Sequence, residues 1–345
     1  MQTEIKSSLK LLDGDGHVTK EGWARQPWWR YERRAVKANA LRIKEWDYYS
    51  ILSHDGRYGL TLTASDLGYA GLYALCFLDF SRGYCCQEDE ISILPLGRAG
   101  FGPDSDTGSL SFKGKKLTLG FEYLPGRRIL RFSAPGIRDA EGNEGLSGGI
   151  ELAQPASLES MNIATSWAEN RRAFYYNRKI NCMPAAGGFR VGGKAFGFSP
   201  DRDFGALDWG RGRWTYENRW YWGSASGLVA GKPFGFNIGY GFSDRTPASE
   251  NALVFDGRMH KLDELMFHID TNDYLKPWRF SSSDGRFEMD FKPLVDRRSS
   301  TRLGPVRSEQ HQVFGEFSGT ALLDDGKPIK LERFLGFAED VYNRW

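Results

Sequence analysis

Long apolar runs are missing. No stretch of the 345 residues approaches the roughly 18 consecutive apolar positions that cross a bilayer as a helix, so no integral membrane segment is expected. The opening MQTEIKSSLKLLDGDGHVTK has no apolar stretch of the secretory kind, which makes a reduced, cytoplasmic setting the expectation. Cysteine is scarce, and Cys76, Cys85, Cys86 and Cys182 show no metal-type spacing. The five histidines are scattered, and His260 and His268 are not an i, i+4 pair, so no protein metal site is expected. Net charge is nearly absent too: 46 Lys and Arg stand against 44 Asp and Glu. That balance argues against nucleic acid as a partner, because a binder of that kind carries a basic footprint.

Familiar nucleotide and nucleophile motifs are also lacking. VGGKAFG does not have the glycine spacing or the Lys-Ser/Thr ending of a phosphate loop. GSASG places Ala225 where a nucleophile elbow needs serine. No G-x-G-x-x-G follows a strand and opens a helix, so no dinucleotide or other cofactor is expected.

Aromatic residues and glycine are abundant: 23 Phe, 15 Tyr, 11 Trp and 41 Gly. Short alternating runs bounded by Gly, Asp and Pro recur along the chain, as in antiparallel sheets. GSLSFKGKKLTLGFEYLPGRRILRFSAPG predicts strands near 109–112, 116–123 and 128–133. Asp256-Gly257, Asp284-Gly285 and Asp325-Gly326 predict tight hairpins. The fold class expected is all-β, with two antiparallel β-barrel or β-sandwich halves and few short helices. The best helical candidates lie near 155–170 and 338–345. A Pro/Gly cluster in PAAGGFRVGGK suggests a division into residues 1–190 and 191–345, the second half a closed or nearly closed barrel.

The segment DWGRGRWTYENRWYWGSASG, residues 208–227, holds four tryptophans. Read as a strand, one face carries Trp214, Tyr216, Asn218, Trp220 and Trp222, and the other carries Glu217 and Arg219. An amide at Asn218 among aromatics needs a partner, either protein or ligand. FGFNIGYGF places Asn237 among glycines on one face, which leaves room for indoles or for a ligand. Asp208 and Arg211 fit a tight turn with a local ion pair. They also fit a carboxylate at the wall of an aromatic cavity, where desolvation makes it a proton donor. Glu250 and Asn251 precede an apolar strand and point to opposite faces, so one of them faces the interior. Glu316 is either outward-facing or a further inward carboxylate, and Glu339 reads as the start of a short terminal helix.

The motifs GWARQPWWRY, EWDYYSIL, DLGYAG, ENALVFDGRMHKL, FKPLVDR, QHQVFGEFSG and GFAEDVYNRW, with the tryptophan-rich segment, resemble the family catalogued as domain of unknown function 2804. The resemblance spans nearly the whole chain and carries no activity with it. More distantly, the layout is similar to the lipocalin-like group of carotenoid hydratases, tocopherol cyclases and Diels–Alderases. That likeness implies a two-part β-protein that holds an apolar ligand without metal or nucleotide.

Three functional readings stand. The first is a cofactor-independent lyase or hydratase, isomerase or cyclase on a mainly apolar small molecule. Asp208 and Glu250 would carry the chemistry, with Arg211 positioning Asp208. Trp214, Asn218, Trp220, Trp222, Asn237 and Asn251 would line or orient the ligand. The second is a non-enzymatic carrier of a lipid-like ligand, and the third a carbohydrate-active protein using paired carboxylates.

Overall fold

The structure, a computed structural model, describes residues 2–304 and 306–344. It is almost entirely β. Two curled antiparallel sheets, of thirteen and nine strands, pack against each other, and a two-stranded parallel pair lies beside them. The only helical elements among the described residues are two single 3-10 turns, Arg33–Ala35 and Ala40–Arg42. The helices expected near 155–170 and 338–345 are instead the strands Met161–Trp167 and Pro328–Arg344; Trp345 lies outside the described residues. Met161–Trp167 and residues 336–341 are buried on both faces, so their apolar residues show no alternation that separates strand from helix. Among the described residues no helix is long and apolar enough to cross a membrane.

The hairpin chemistry reads directly into the fold. Asp256 and Gly257 both adopt positive φ, 50° and 81°, between the paired strands Ala252–Phe255 and Arg258–Lys261. The run with the Lys-rich and Pro-Gly turns forms Gly108–Lys113, Thr118–Leu124 and Arg127–Arg138.

The first sheet is organised around Asn170–Val191, a 22-residue strand that pairs with Phe204–Arg213, which pairs in turn with Ile43–Leu52. The chain leaves this sheet after Arg213 and enters the second at Glu217–Val229. Position 190/191 therefore falls inside the first sheet, at the end of its longest strand. The second sheet places Glu217–Val229 beside Pro328–Arg344, followed by Val306–Leu322 and Phe287–Leu303.

Each sheet curls around its own core. Tyr49, Leu60, Phe121 and Trp209 lie in the first, and Phe236, Phe280, Phe291 and Phe317 in the second. Between them, Tyr48, Leu78, Trp222, Phe314 and Phe337 form an aromatic seam. Asn181 pins that seam. Its amide donates to Ser224 Oγ at 2.8 Å and to the carbonyls of Phe236 at 3.0 Å and Ala225 at 3.2 Å. A register shift between Ile180 and Met183, with Cys182 at φ 60°, turns Asn181 out of the first sheet toward the second.

Candidate functional site

Where the two sheets face each other they leave a cavity of about 330 Å³, the low end of the size range for small-molecule sites. Its lining follows from strand parity. Residues two apart share a face, so Trp46 and Tyr48, Trp220 and Trp222, and Glu339 and Val341 all point inward from their strands.

Antiparallel register then assembles the polar floor as two rungs. In the first sheet, Lys179 lies directly opposite Asp208, and Asp208 opposite Tyr48. In the second, Trp222 lies opposite Glu339, Glu339 opposite Gln312, and Gln312 opposite Arg297. The rungs meet through Tyr48, whose hydroxyl donates to Gln312 Oε1 at 3.2 Å.

Two of three buried carboxyl groups on this floor lie against one ammonium. Lys179 Nζ is 2.8 Å from Asp208 Oδ2, 4.0 Å from Glu250 Oε2, and 3.8 Å from the centre of the Trp222 ring. Asp208 also accepts from Asn177 Nδ2 at 2.5 Å. Glu250 accepts from the Tyr175 hydroxyl at 3.0 Å, and its other oxygen has no hydrogen-bond partner among the described residues. Glu339 accepts from the Trp220 indole at 2.9 Å and from Gln312 Nε2 at 3.0 Å.

Burial decides the proton affinities. It pushes the Glu339 carboxyl up to about 7, against the opposing pull of its Trp220 hydrogen bond and of Lys179. Glu250 is raised as well, by burial first and by the Asp208 charge, while Lys179 works in the other direction. Burial likewise lifts the Tyr175 phenol well above its ordinary value, and the Glu250 charge adds to that. The floor thus combines an ion pair with one carboxyl, Glu339, whose proton affinity lies near neutrality, and a second, Glu250, raised above its ordinary value.

The aromatic wall is built by close approach. Gly210 faces the Trp46 indole so closely that a Cβ there would come within 2.0 Å of a ring atom, and a Cβ at Gly239 would strike the Glu250 carboxylate. Trp46 stacks on Tyr175 at 6.2 Å, and Trp214 meets Trp46, Tyr175 and Trp220 edge-on at 5.4–5.7 Å.

The residues expected from sequence divide into three groups. Asp208, Glu250, Trp214, Trp220 and Trp222 all line the cavity. Asn237 and Asn251 brace it from behind. Asn237 accepts from the Trp222 indole at 2.6 Å and donates to the Glu250 carbonyl at 2.8 Å. Asn251 ties Gly239 N–H at 2.7 Å to the carbonyl of Asp263 at 2.9 Å. Asn218 is buried and donates to the Thr215 carbonyl at 3.3 Å.

Arg211 does not reach Asp208. Residues 208–211 are the middle of a strand rather than a turn, so the two side chains leave opposite faces. Arg211 points into the first sheet's own core, 3.0 Å from Asp47 and 4.0 Å from the Trp209 ring centre. Glu316 is paired with Arg333 at 2.9 Å, away from the cavity.

Lys179, Tyr175 and Arg297 were not singled out by sequence reasoning, Gln312 was not assigned to the site, and Glu339 was read as the start of a terminal helix rather than as an inward carboxyl. Lys179 and Glu339 sit in strand segments buried on both faces, where no alternation marks the inward position. The one clue was an acid set in the apolar stretch of GFAEDVY. Among the described residues, no group of three or more His, Cys, Asp or Glu is arranged to hold a metal ion.

Solved structures share the architecture. CghA is 12% identical over 97% of both chains, with a TM-score of 0.57. The structure of CghA with Sch210972 is 13% identical over 88% of both chains, with a TM-score of 0.54. An AttH-like protein from Nitrosomonas europaea is 16% identical over 92% of this chain and 98% of its own, with a TM-score of 0.53. At these identities the likeness is one of fold, and it agrees with the lipocalin-like layout. No curated protein matches the chain. The family model for Domain of unknown function (DUF2804) matches residues 2–345, and the chain belongs to that family.

Proposed function

We propose that this protein binds a mainly apolar small molecule between its two sheets and acts on it by cofactor-independent proton transfer. The reaction class is that of a lyase or hydratase, an isomerase or a cyclase. The observation that carries this reading is Glu339: a buried carboxyl poised at about 7, on the floor of an aromatic cavity, beside the Lys179–Asp208 pair. A general acid works best when its proton affinity lies near the working pH.

In this reading Glu339 donates the proton. Asp208, engaged as an acceptor by Lys179 and Asn177, receives one or holds Lys179 in place. Trp220 and Trp222 stabilise positive charge that develops on the ligand through their ring faces. Glu250 shares the Lys179 charge, while Lys179 and Asp208 set the field in which Glu339 titrates. The fold-level likeness to CghA, which has been solved with the small molecule Sch210972, supports ligand binding on this architecture.

The test begins with native mass spectrometry of freshly purified protein and identification of any bound mass. Conversion of that compound by the wild type, with binding kept and conversion lost in Glu339→Gln, supports the reading. Binding without conversion by the wild type leaves a carrier. Unchanged conversion by Glu339→Gln removes Glu339 from the chemistry.

A further inference from the structure

The second-sheet rung ends on a cation that nothing in the acid–base floor uses. Arg297 lines the cavity and is only partly exposed. Its Nη1 donates to Gln312 Oε1 at 2.7 Å, and its Nε donates to Gln87 Oε1. Both partners are neutral amides. Among the described residues no carboxylate lies within ion-pairing distance of Arg297, and Nη2 makes no hydrogen bond.

That arrangement is unusual for an arginine facing a cavity. A guanidinium withdrawn from water is normally matched by an acid. Here two glutamine oxygens fix the plane of the group, with no carboxylate paired to it directly, and leave one edge unused. The carboxylates of the cavity are engaged elsewhere: Asp208 and Glu250 with Lys179, Glu339 with Gln312, and Asp89 with Gln87 Nε2 at 2.7 Å. Gln312 bonds Glu339 and Arg297 at once, so the cation and the proposed acid are held at opposite ends of one amide.

We infer that Arg297 is the anchor for an acidic oxygen of the ligand, and that the substrate is an amphiphile: an apolar body with one carboxylate or enolate-type oxygen. The apolar body lies along Trp220, Trp222 and Tyr48, and the oxygen sits on the unused edge of the guanidinium. Guanidinium suits this task because its planar donors match an oxyanion, and the hydrogen bond formed is charge-assisted. This assignment rests on the cavity being the working site and adds the substrate class to it.

Two fluorescent probes of one skeleton separate the possibilities: 1-anilinonaphthalene-8-sulfonate, which carries an oxyanion, and N-phenyl-1-naphthylamine, which is neutral. The wild type should bind the sulfonate more tightly than the neutral probe. Arg297→Gln should weaken the sulfonate by about tenfold or more, the scale of one charge-assisted hydrogen bond, and move the neutral probe by less than about twofold. Arg297→Lys, which keeps the charge, should retain part of the preference, and it serves if the Gln variant does not fold. Equal losses for both probes, or no loss for the sulfonate, overturn the anchor. Trp220→Ala tests the cavity itself. If the wild type binds neither probe, or Trp220→Ala leaves both unchanged, the cavity reading falls, irrespective of Arg297.

Discussion

Lys179 and Asp208 stand directly opposite each other in antiparallel register, Nζ to Oδ2 at 2.8 Å, and both are buried. A buried ion pair of this kind is expensive to break from one side, because the partner left behind keeps its charge without compensation. Lys179 has a second duty, since Glu250 lies 4.0 Å from the same ammonium.

Lys179→Met should therefore cost about 3–5 kcal/mol of folding stability, read from urea unfolding. Adding Asp208→Asn to that variant should recover part of the loss, because the stranded charge is gone. A loss below about 1 kcal/mol in Lys179→Met would mean that the pair behaves as a solvated one.

Glu339 gives stability a pH dependence of defined sign. Its carboxyl is raised from 4.5 to about 7, so the folded chain holds the proton that the unfolded chain has already released. The stabilisation from this group is complete below about pH 4.5, declines as pH rises through the window, and is gone above 7. The full span is about 3 kcal/mol. Between pH 5 and 8 the wild type should lose stability relative to Glu339→Gln by up to that amount. Parallel pH profiles for the two proteins would contradict the raised proton affinity.

Gly210→Ala tests the wall. The new methyl group would occupy the place of the Trp46 indole, which would have to leave its contacts with Tyr175 and Trp214. Overpacking of this kind costs about 1–3 kcal/mol. The near-ultraviolet circular dichroism of the tryptophan cluster should change, and any cavity ligand should bind less well. An unchanged aromatic spectrum would show that the methyl group is accommodated without displacing the indole.

Asn181→Ala tests the seam. Removing the amide leaves the Phe236 and Ala225 carbonyls buried without this donor, at about 1–3 kcal/mol for each group left unpaired. Limited proteolysis should then cut the chain near 214–216, where it passes between the sheets, faster than in the wild type. Equal cutting rates would mean that the aromatic seam alone holds the halves together.

Much of the fold was legible because its turns are written in Asp-Gly and Pro-Gly. Residues at Asp256-Gly257 and Pro125-Gly126 ask for conformations that few other dipeptides supply. The aromatic wall was legible for a related reason: Trp220 and Trp222 alternate with Tyr221 and so share a face. The floor was only half legible. Asp208 and Glu250 stood out as acids beside glycine or aromatic residues. Lys179 and Glu339 were hidden in strands whose two faces are both buried, one face against the sheet's own core and the other against the seam. Arg211 misled for the same geometric reason, since three residues along a strand change the face whereas three residues around a turn do not. What joins Lys179 to Asp208, or Glu339 to Gln312, is pairing between strands distant in the chain, and no local pattern records that register.

The row from Trp222 through Glu339 and Gln312 to Arg297 crosses four strands at one register. A strand presents alternate residues to alternate faces, so inserting or deleting a single residue upstream of a rung position within its strand would turn that side chain away from the cavity. The rung therefore fixes the length of these strands as firmly as it fixes their composition. Changes in chain length that spare the site belong at the hairpin tips, such as the one at Asp325-Gly326, where an added residue alters a loop, or at bulges such as the one between Pro293 and Val295, where it is absorbed before the rung.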